Sequence, residues 1–150
     1  MARARKPATT EARRRAPESP LLDTHAWIWW IEQDARLGAK EIAALDALPV
    51  DRRPFLCDIS LWEVATLVEL GRLVLDVPLD EWLDAAAHPR SVRLLAVSPR
   101  IAAEVARLPD TFHHDPADRI IVATSRAQHI PLLTHDGRIR RSRLVTMWHG

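Results

Sequence analysis

The chain has a single cysteine, Cys57. No disulfide can form within it, which suits a reducing compartment and predicts a cytoplasmic protein. Cys57 lies in the apolar run Phe55-Leu56-Cys57 and reads as a small buried hydrophobe. No apolar run reaches the roughly eighteen residues that a membrane-spanning helix needs. The basic start is not followed by the apolar stretch of a secretory signal. The seven histidines form no HExxH or similar pattern, so zinc chemistry has no footing. There is no internal repeat.

At 150 residues, 47% hydrophobic and 27% charged, the composition is that of one soluble globular domain with a real core. The net charge of +1 conceals an asymmetry. Residues 1–20 carry six basic groups (Arg3, Arg5, Lys6, Arg13, Arg14, Arg15) against Glu11 and Glu18, a net of +4, while the remaining 130 residues carry 15 basic and 18 acidic groups, a net of −3. With Pro7 and Pro17 and almost nothing to bury, residues 1–19 read as a disordered basic extension ahead of a domain at 20–150. Such an arm either contacts nucleic-acid phosphates or is a solvated appendage.

The most informative stretch runs from His113 to Gly137. Asp115 suits a helix cap, Pro116 the first helical position and Asp118 the positive end of the helix dipole. Ile120, Ile121, Ala123, Thr124 and Ala127 then recur at helical spacing, over roughly ten to thirteen residues. Ile130 to Thr134 is a short buried strand, and Asp136-Gly137 reads as the turn that closes it. Elsewhere, Leu21-Leu22 passes directly into Asp23 and an apolar helix, the first half of a βαβ unit. Residues 38–48 form a helix with Ile42, Leu45 and Leu48 on one face. Pro54 to Cys57 is a second strand, and Ser60 to Leu70 a helix that stops at Gly71. A short extended piece comes next at 73–77, then a helix at 80–87, a strand at 92–97, a helix at 99–108 and a last strand at 143–148. Alternation of strand and helix predicts an α/β fold with a mostly parallel sheet covered on both faces.

Four carboxylates sit where a strand ends or the next helix begins: Asp23, Glu63, Asp118 and Asp136, with Asp115 beside the third. Each has a local explanation. Asp23 can cap a helix, and Ser60 with Glu63 can form a capping box. Asp115 and Asp118 are ordinary at a helix start. In a parallel sheet, however, these positions share one edge, where ligands bind. Carboxylates converging there repel one another, and a divalent cation relieves that conflict. Oxygen donors without matching His or Cys suit Mg²⁺ or Mn²⁺.

The segments LLDTHAWIW, SLWEVATLVELGRL, HHDPADRIIVATS and LLTHDGRI, in that order and in those strand-to-helix contexts, resemble the PIN-domain ribonucleases, and among them the VapC-type toxins of toxin–antitoxin pairs. The resemblance covers residues 20–150. It implies a three-layer α/β/α sandwich and a Mg²⁺- or Mn²⁺-dependent endoribonuclease whose acids are Asp23, Glu63, Asp118 and Asp136, with Asp115 either an outer ligand or a group that supports the ligands from behind. It further implies an RNA substrate cut to 5′-phosphate and 3′-hydroxyl ends, a homodimer and an inhibiting antitoxin protein. His114 and the pair Ser125-Arg126 depart from the usual pattern, but neither touches the four acids.

An acidic crevice repels RNA, so basic groups must flank it. Arg119, Arg138 and Arg140, with Arg141 and Arg143, are the candidates for phosphate contact. Of the six tryptophans, Trp27 to Trp30 and Trp62 have apolar neighbours and are expected in a core or dimer contact rather than under an RNA base. Other functions fit less well. A haloacid-dehalogenase-type phosphatase needs a second Asp where His25 stands. A non-catalytic RNA- or protein-binding module leaves the acids as mere caps, and a flap-type DNA nuclease of related fold is usually longer.

Overall fold

The computed structural model describes residues 18–150; the rest of the expected basic extension lies outside the described residues. The elements keep to the predicted alternation. They are β1 (Leu21–Leu22), α1 (Thr24–Ile31), α2 (Ala39–Asp46), β2 (Phe55–Cys57), α3 (Ile59–Glu69), α4 (Leu79–Ala86), β3 (Arg93–Leu95), α5 (Pro99–Arg107), α6 (Pro116–Gln128), β4 (Leu132–Leu133) and α7 (Gly137–Ser142). The four strands are parallel, in the order β3-β2-β1-β4.

Side chains alternate across a strand, and here they feed two cores. Leu22, Leu56 and Leu133 face α1 to α4, in a core holding Trp27, Trp30, Leu45, Val64 and Trp82. Leu21, Cys57 and Leu132 face the other way, onto Ile101 of α5, Ile121 to Ala123 of α6 and Ile139 of α7. Helices therefore cover both faces, the expected three-layer α/β/α arrangement. Trp27 has no exposed surface, and its indole N–H still donates to the carbonyl of Ala86 at 3.2 Å. Replacing it with alanine removes about 3–5 kcal/mol of stability. Trp30, Trp82 and Trp148 each likewise bury the ring and find a partner for the N–H, in Asp46, Glu32 and the carbonyl of Glu18.

Three local expectations need correcting. Asp136-Gly137 does not form a turn that merely ends a strand. Asp136 caps α7, accepting from the N–H groups of Arg138 (2.8 Å) and Ile139 (3.1 Å). The segment 143–148 is not a strand either. Arg143 takes a left-handed conformation at φ 55°, and the residues after it make a single parallel bridge, Met147 to Leu132. Nor is Ser60 a cap. The helix already begins at Ile59, and Ser60 is buried inside it, with its hydroxyl 2.9 Å from that of Thr24. Gly71 does end α3 as expected, at φ +68°.

Candidate active site

All strand C-termini lie along one edge. β1 is flanked by β2 and β4, so chain connectivity diverges from it and a crevice opens there. The crevice has a volume of about 390 Å³, and Asp23, Glu63, Asp115, Asp118 and Asp136 all line it.

Each acid is placed by the element that precedes it. Asp23 directly follows β1, caps α1 through the N–H of Ala26 at 2.7 Å, and is only 5% exposed. Its second carboxylate oxygen accepts from the hydroxyl of Thr134, which follows β4. The same hydroxyl accepts from the N–H of Asp136 at 3.0 Å. Thr134 thus ties the acids after the two adjacent strands to each other. Asp115 caps α6, accepting from the N–H of Asp118 at 3.0 Å, and Asp118 stands in that helix's first turn. Glu63 projects from α3 beside Thr24.

Three of the carboxylates come closest: Glu63, Asp115 and Asp118 each offer an oxygen, all within 4.8 Å of one another. Asp115, the exposed member of the three, is within reach of a cation shared with the other two. Burial and mutual repulsion raise proton affinity here. Asp118 is pushed up to about 7, first by burial and then by Asp115, Asp136, Glu63 and Asp23. Burial also raises Asp23 and Glu63 above the usual carboxylate range, although the N–H of Ala26 and the hydroxyl of Thr24, respectively, pull the other way. Asp136 is the exception. Burial would raise it, but the N–H groups of Ile139 and Arg138 and the Arg138 guanidinium outweigh that and hold it low.

A pocket with three carboxylate oxygens in mutual reach, two of them on acids that resist ionisation, has the donor chemistry of a hard divalent cation. The histidines do not compete for it. His113 has both ring nitrogens buried without a hydrogen-bond partner. Its Nε2 lies 3.3 Å from Asp118 Oδ2, close enough for charge interaction but not aligned for a hydrogen bond. Burial, then Arg138, holds the ring below its ordinary proton affinity. His135 turns away to Glu41 at 2.8 Å.

The candidate phosphate-contacting arginines separate. Arg138 lines the crevice, its guanidinium 3.5 Å from Asp136 and 3.8 Å from Asp118, with the side chain 59% exposed. Arg140 is exposed on α7. Arg119 faces inward instead. Its guanidinium donates to the carbonyls of Phe112 (3.2 Å), His113 (3.4 Å) and Val105 (3.5 Å), fastening the loop before α6 to α5. That engagement argues against the phosphate contact expected of Arg119. Trp62, expected in a core or a dimer contact, is 55% exposed and lines the crevice, so it is not in the core. The hydroxyls of Thr24 and Thr134 are not singled out by the sequence, although the pairs Asp23-Thr24 and Thr134-Asp136 carry a signal for both.

Comparison with known proteins shows the family and the fold. The family model for the PIN domain matches residues 21–143. Ribonuclease VapC22 of Mycobacterium tuberculosis is 37% identical over 131 residues, covering 85% of this chain and 97% of that protein. Among solved structures, VapBC2 from Rickettsia felis bound to a DNA fragment from its promoter superposes with a TM-score of 0.63 at 14% identity, over 85% of this chain and 95% of that one. A toxin–antitoxin complex from Klebsiella pneumoniae gives a TM-score of 0.58 at 20% identity, over 87% and 98%. At such identities the two structures speak for the fold, while the family model and the M. tuberculosis relative settle kinship. The chain belongs to the PIN-domain family, on its VapC branch.

Proposed function

We propose that the chain is a metal-dependent endoribonuclease acting as the toxin of a toxin–antitoxin pair. The observation that carries this reading is the cluster of Glu63, Asp115 and Asp118, with oxygens within 4.8 Å of one another at the mouth of a parallel sheet. Kinship to a protein called a ribonuclease gives the reaction class. Glu63, Asp115 and Asp118 would hold Mg²⁺ or Mn²⁺ directly, with Asp23 and Asp136 fixing the floor of the site through Thr134. Such an ion, when bound, lowers the pKa of water and offsets the charge that builds on a phosphate undergoing attack.

The protein's own groups do the rest. The carboxylates orient the attacking water in line with the leaving oxygen. Arg138, at the rim, draws the RNA backbone toward an otherwise repulsive crevice and neutralises part of the phosphate charge. Hydrolysis then leaves 5′-phosphate and 3′-hydroxyl ends. Among the described residues no helix is long and apolar enough to cross a membrane. The toxin works in the cytoplasm, where its RNA substrate is. Partnership with an antitoxin and self-association as a homodimer are supported by the VapC kinship. Leu70 and Val74, 60% and 86% exposed, support a surface that another protein chain covers.

The test is cleavage of cellular RNA by purified protein freed of any bound inhibitor, with Mg²⁺, Mn²⁺ or EDTA, and Asp118→Asn alongside. Cleavage that requires metal and disappears in the variant supports the reading. Folded, metal-supplied protein that cleaves no RNA sinks it.

A further inference from the structure

Beside the acidic crevice lies a second cavity, of about 360 Å³ and opposite character. Its wall is made by the loop ahead of α6 together with α7 and the turn after it. Pro109 and Leu144 give it an apolar side, Thr111 and Ser142 bring hydroxyls, and Arg138 and Arg141 bring guanidinium groups. No carboxylate lines it.

Two features connect this cavity to the reaction. Arg138 lines both it and the crevice, so the two are neighbours across one side chain. His113, which lines the second cavity, has Nε2 3.3 Å from Asp118 Oδ2. Arg141 is also uncommitted: among the described residues it makes no hydrogen bond or ion pair, and it is exposed. Its guanidinium folds back over the start of α7, where Gly137 leaves the space. A Cβ on Gly137 would stand 2.6 Å from Arg141 Nη1.

We propose that this second cavity is a nucleotide subsite. It takes one unpaired nucleotide adjacent to the cleaved phosphate, with the base against Pro109 and Leu144 and a phosphate on Arg141 and Arg138. This inference rests on the ribonuclease reading and extends it to the binding of substrate. A base has apolar faces and polar edges, which the apolar side and the Thr111 hydroxyl match, the Ser142 hydroxyl being engaged with the Ile139 carbonyl and the Leu144 N–H. A guanidinium fork suits a phosphate. The volume lies within the roughly 300–1,000 Å³ typical of small-ligand sites. The two cavities divide the labour by charge. The acidic one holds the phosphate to be cut together with its cation, and the basic one holds the neighbouring nucleotide without competing for that cation.

The experiment measures binding in EDTA, where cleavage is silent, using nucleoside 5′-monophosphates and inorganic phosphate as probes by calorimetry. The variants are Arg141→Ala, Arg141→Lys and Thr111→Trp, the last to fill the cavity from an exposed position while keeping both arginines. Circular dichroism confirms that each is folded. A monophosphate should bind more tightly than inorganic phosphate. Its Kd should rise about tenfold in Arg141→Ala and at least as much in Thr111→Trp, and less in Arg141→Lys. Equal binding of inorganic phosphate and monophosphate, or monophosphate affinity unchanged in Thr111→Trp, overturns the subsite. Metal-dependent cleavage of RNA by the wild type, run in parallel, separates the two readings. If the wild type cleaves and both Arg141→Ala and Thr111→Trp keep its KM and cut sites, the subsite fails and the ribonuclease stands. If the wild type cleaves nothing yet loses monophosphate binding in those variants, the ribonuclease reading fails and a nucleotide site remains.

Discussion

The two ends of α6 meet acids in opposite circumstances. At the C-terminal end Arg126 donates to Glu104 of α5 at 2.7 Å, and Arg107 adds a second contact at 3.4 Å. The hydrogen bond from Arg126 leads in holding Glu104 below the usual carboxylate range. At the N-terminal end Asp118 faces Asp115 and Glu63, and burial with that crowding raises it to about 7. One carboxylate is placed to stabilise the fold, the other at a cost to it. Structural acids bring their counter-charge with them, whereas site acids await theirs from outside.

The contrast can be broken most sharply by activity. Asp118→Asn keeps the shape of the crevice but removes a charge, and cleavage should fall by on the order of 10³-fold with the fold intact, read by product formation and circular dichroism together. The opposite end should behave in the opposite way. Arg126→Ala leaves the Glu104 carboxylate and the Leu144 carbonyl, its acceptors at 2.7 and 2.9 Å, without their donor. Urea unfolding should show a lower midpoint than wild type, with kcat for RNA unchanged. A large drop in kcat would show that the two ends are not independent.

The pH dependence sharpens the comparison further. Asp118 is raised from 3.8 to about 7 on folding, so in the absence of metal the folded protein keeps a proton that the unfolded chain releases. The associated stability is fully present below the unfolded value and is lost as pH rises through about 7. Metal-free Asp118→Asn should therefore melt higher than wild type at pH 8, by an amount worth roughly 1 kcal/mol after solvent screening, and no higher at pH 4. Added Mg²⁺ should stabilise the wild type more at pH 8 than at pH 5. The smallest effect belongs to Trp62, exposed at the rim. Trp62→Ala should leave thermal stability within about 0.5 kcal/mol, in contrast to the buried Trp27.

Much of the fold and the site is legible in the sequence because it is local. A two-residue strand, then an acid and a helix, is written consecutively, as in Leu21-Leu22-Asp23, and parallel topology carries those acids to one edge. The N-terminal start of α6 is likewise spelled out by Asp115-Pro116. The illegible parts depend on residues far apart. Ser60 lies inside its helix because Thr24, 36 positions away, meets its hydroxyl. Arg119 has a wide choice of partners in a linear string, and only the folded loop offers it three carbonyls. Trp62 has the apolar neighbours of a buried residue, yet the helix turns it outward. The helix α7 is hidden because Gly137 to Ser142 carries four polar or charged residues around a single buried anchor, Ile139.

The place of β1 in the sheet has a consequence for the order of events during synthesis. This central strand pairs with β2 and also with β4, and Asp23 is bonded to Thr134, 111 positions later. A chain growing from its N-terminus has made all four strands before Thr134 and Asp136 exist. Until they emerge from the ribosome, Asp23 lacks the Thr134 hydroxyl that holds it and the Asp136 carboxylate tied to it through that hydroxyl. The tie between the acids that follow β1 and β4 is thus among the last contacts of the domain to form during synthesis.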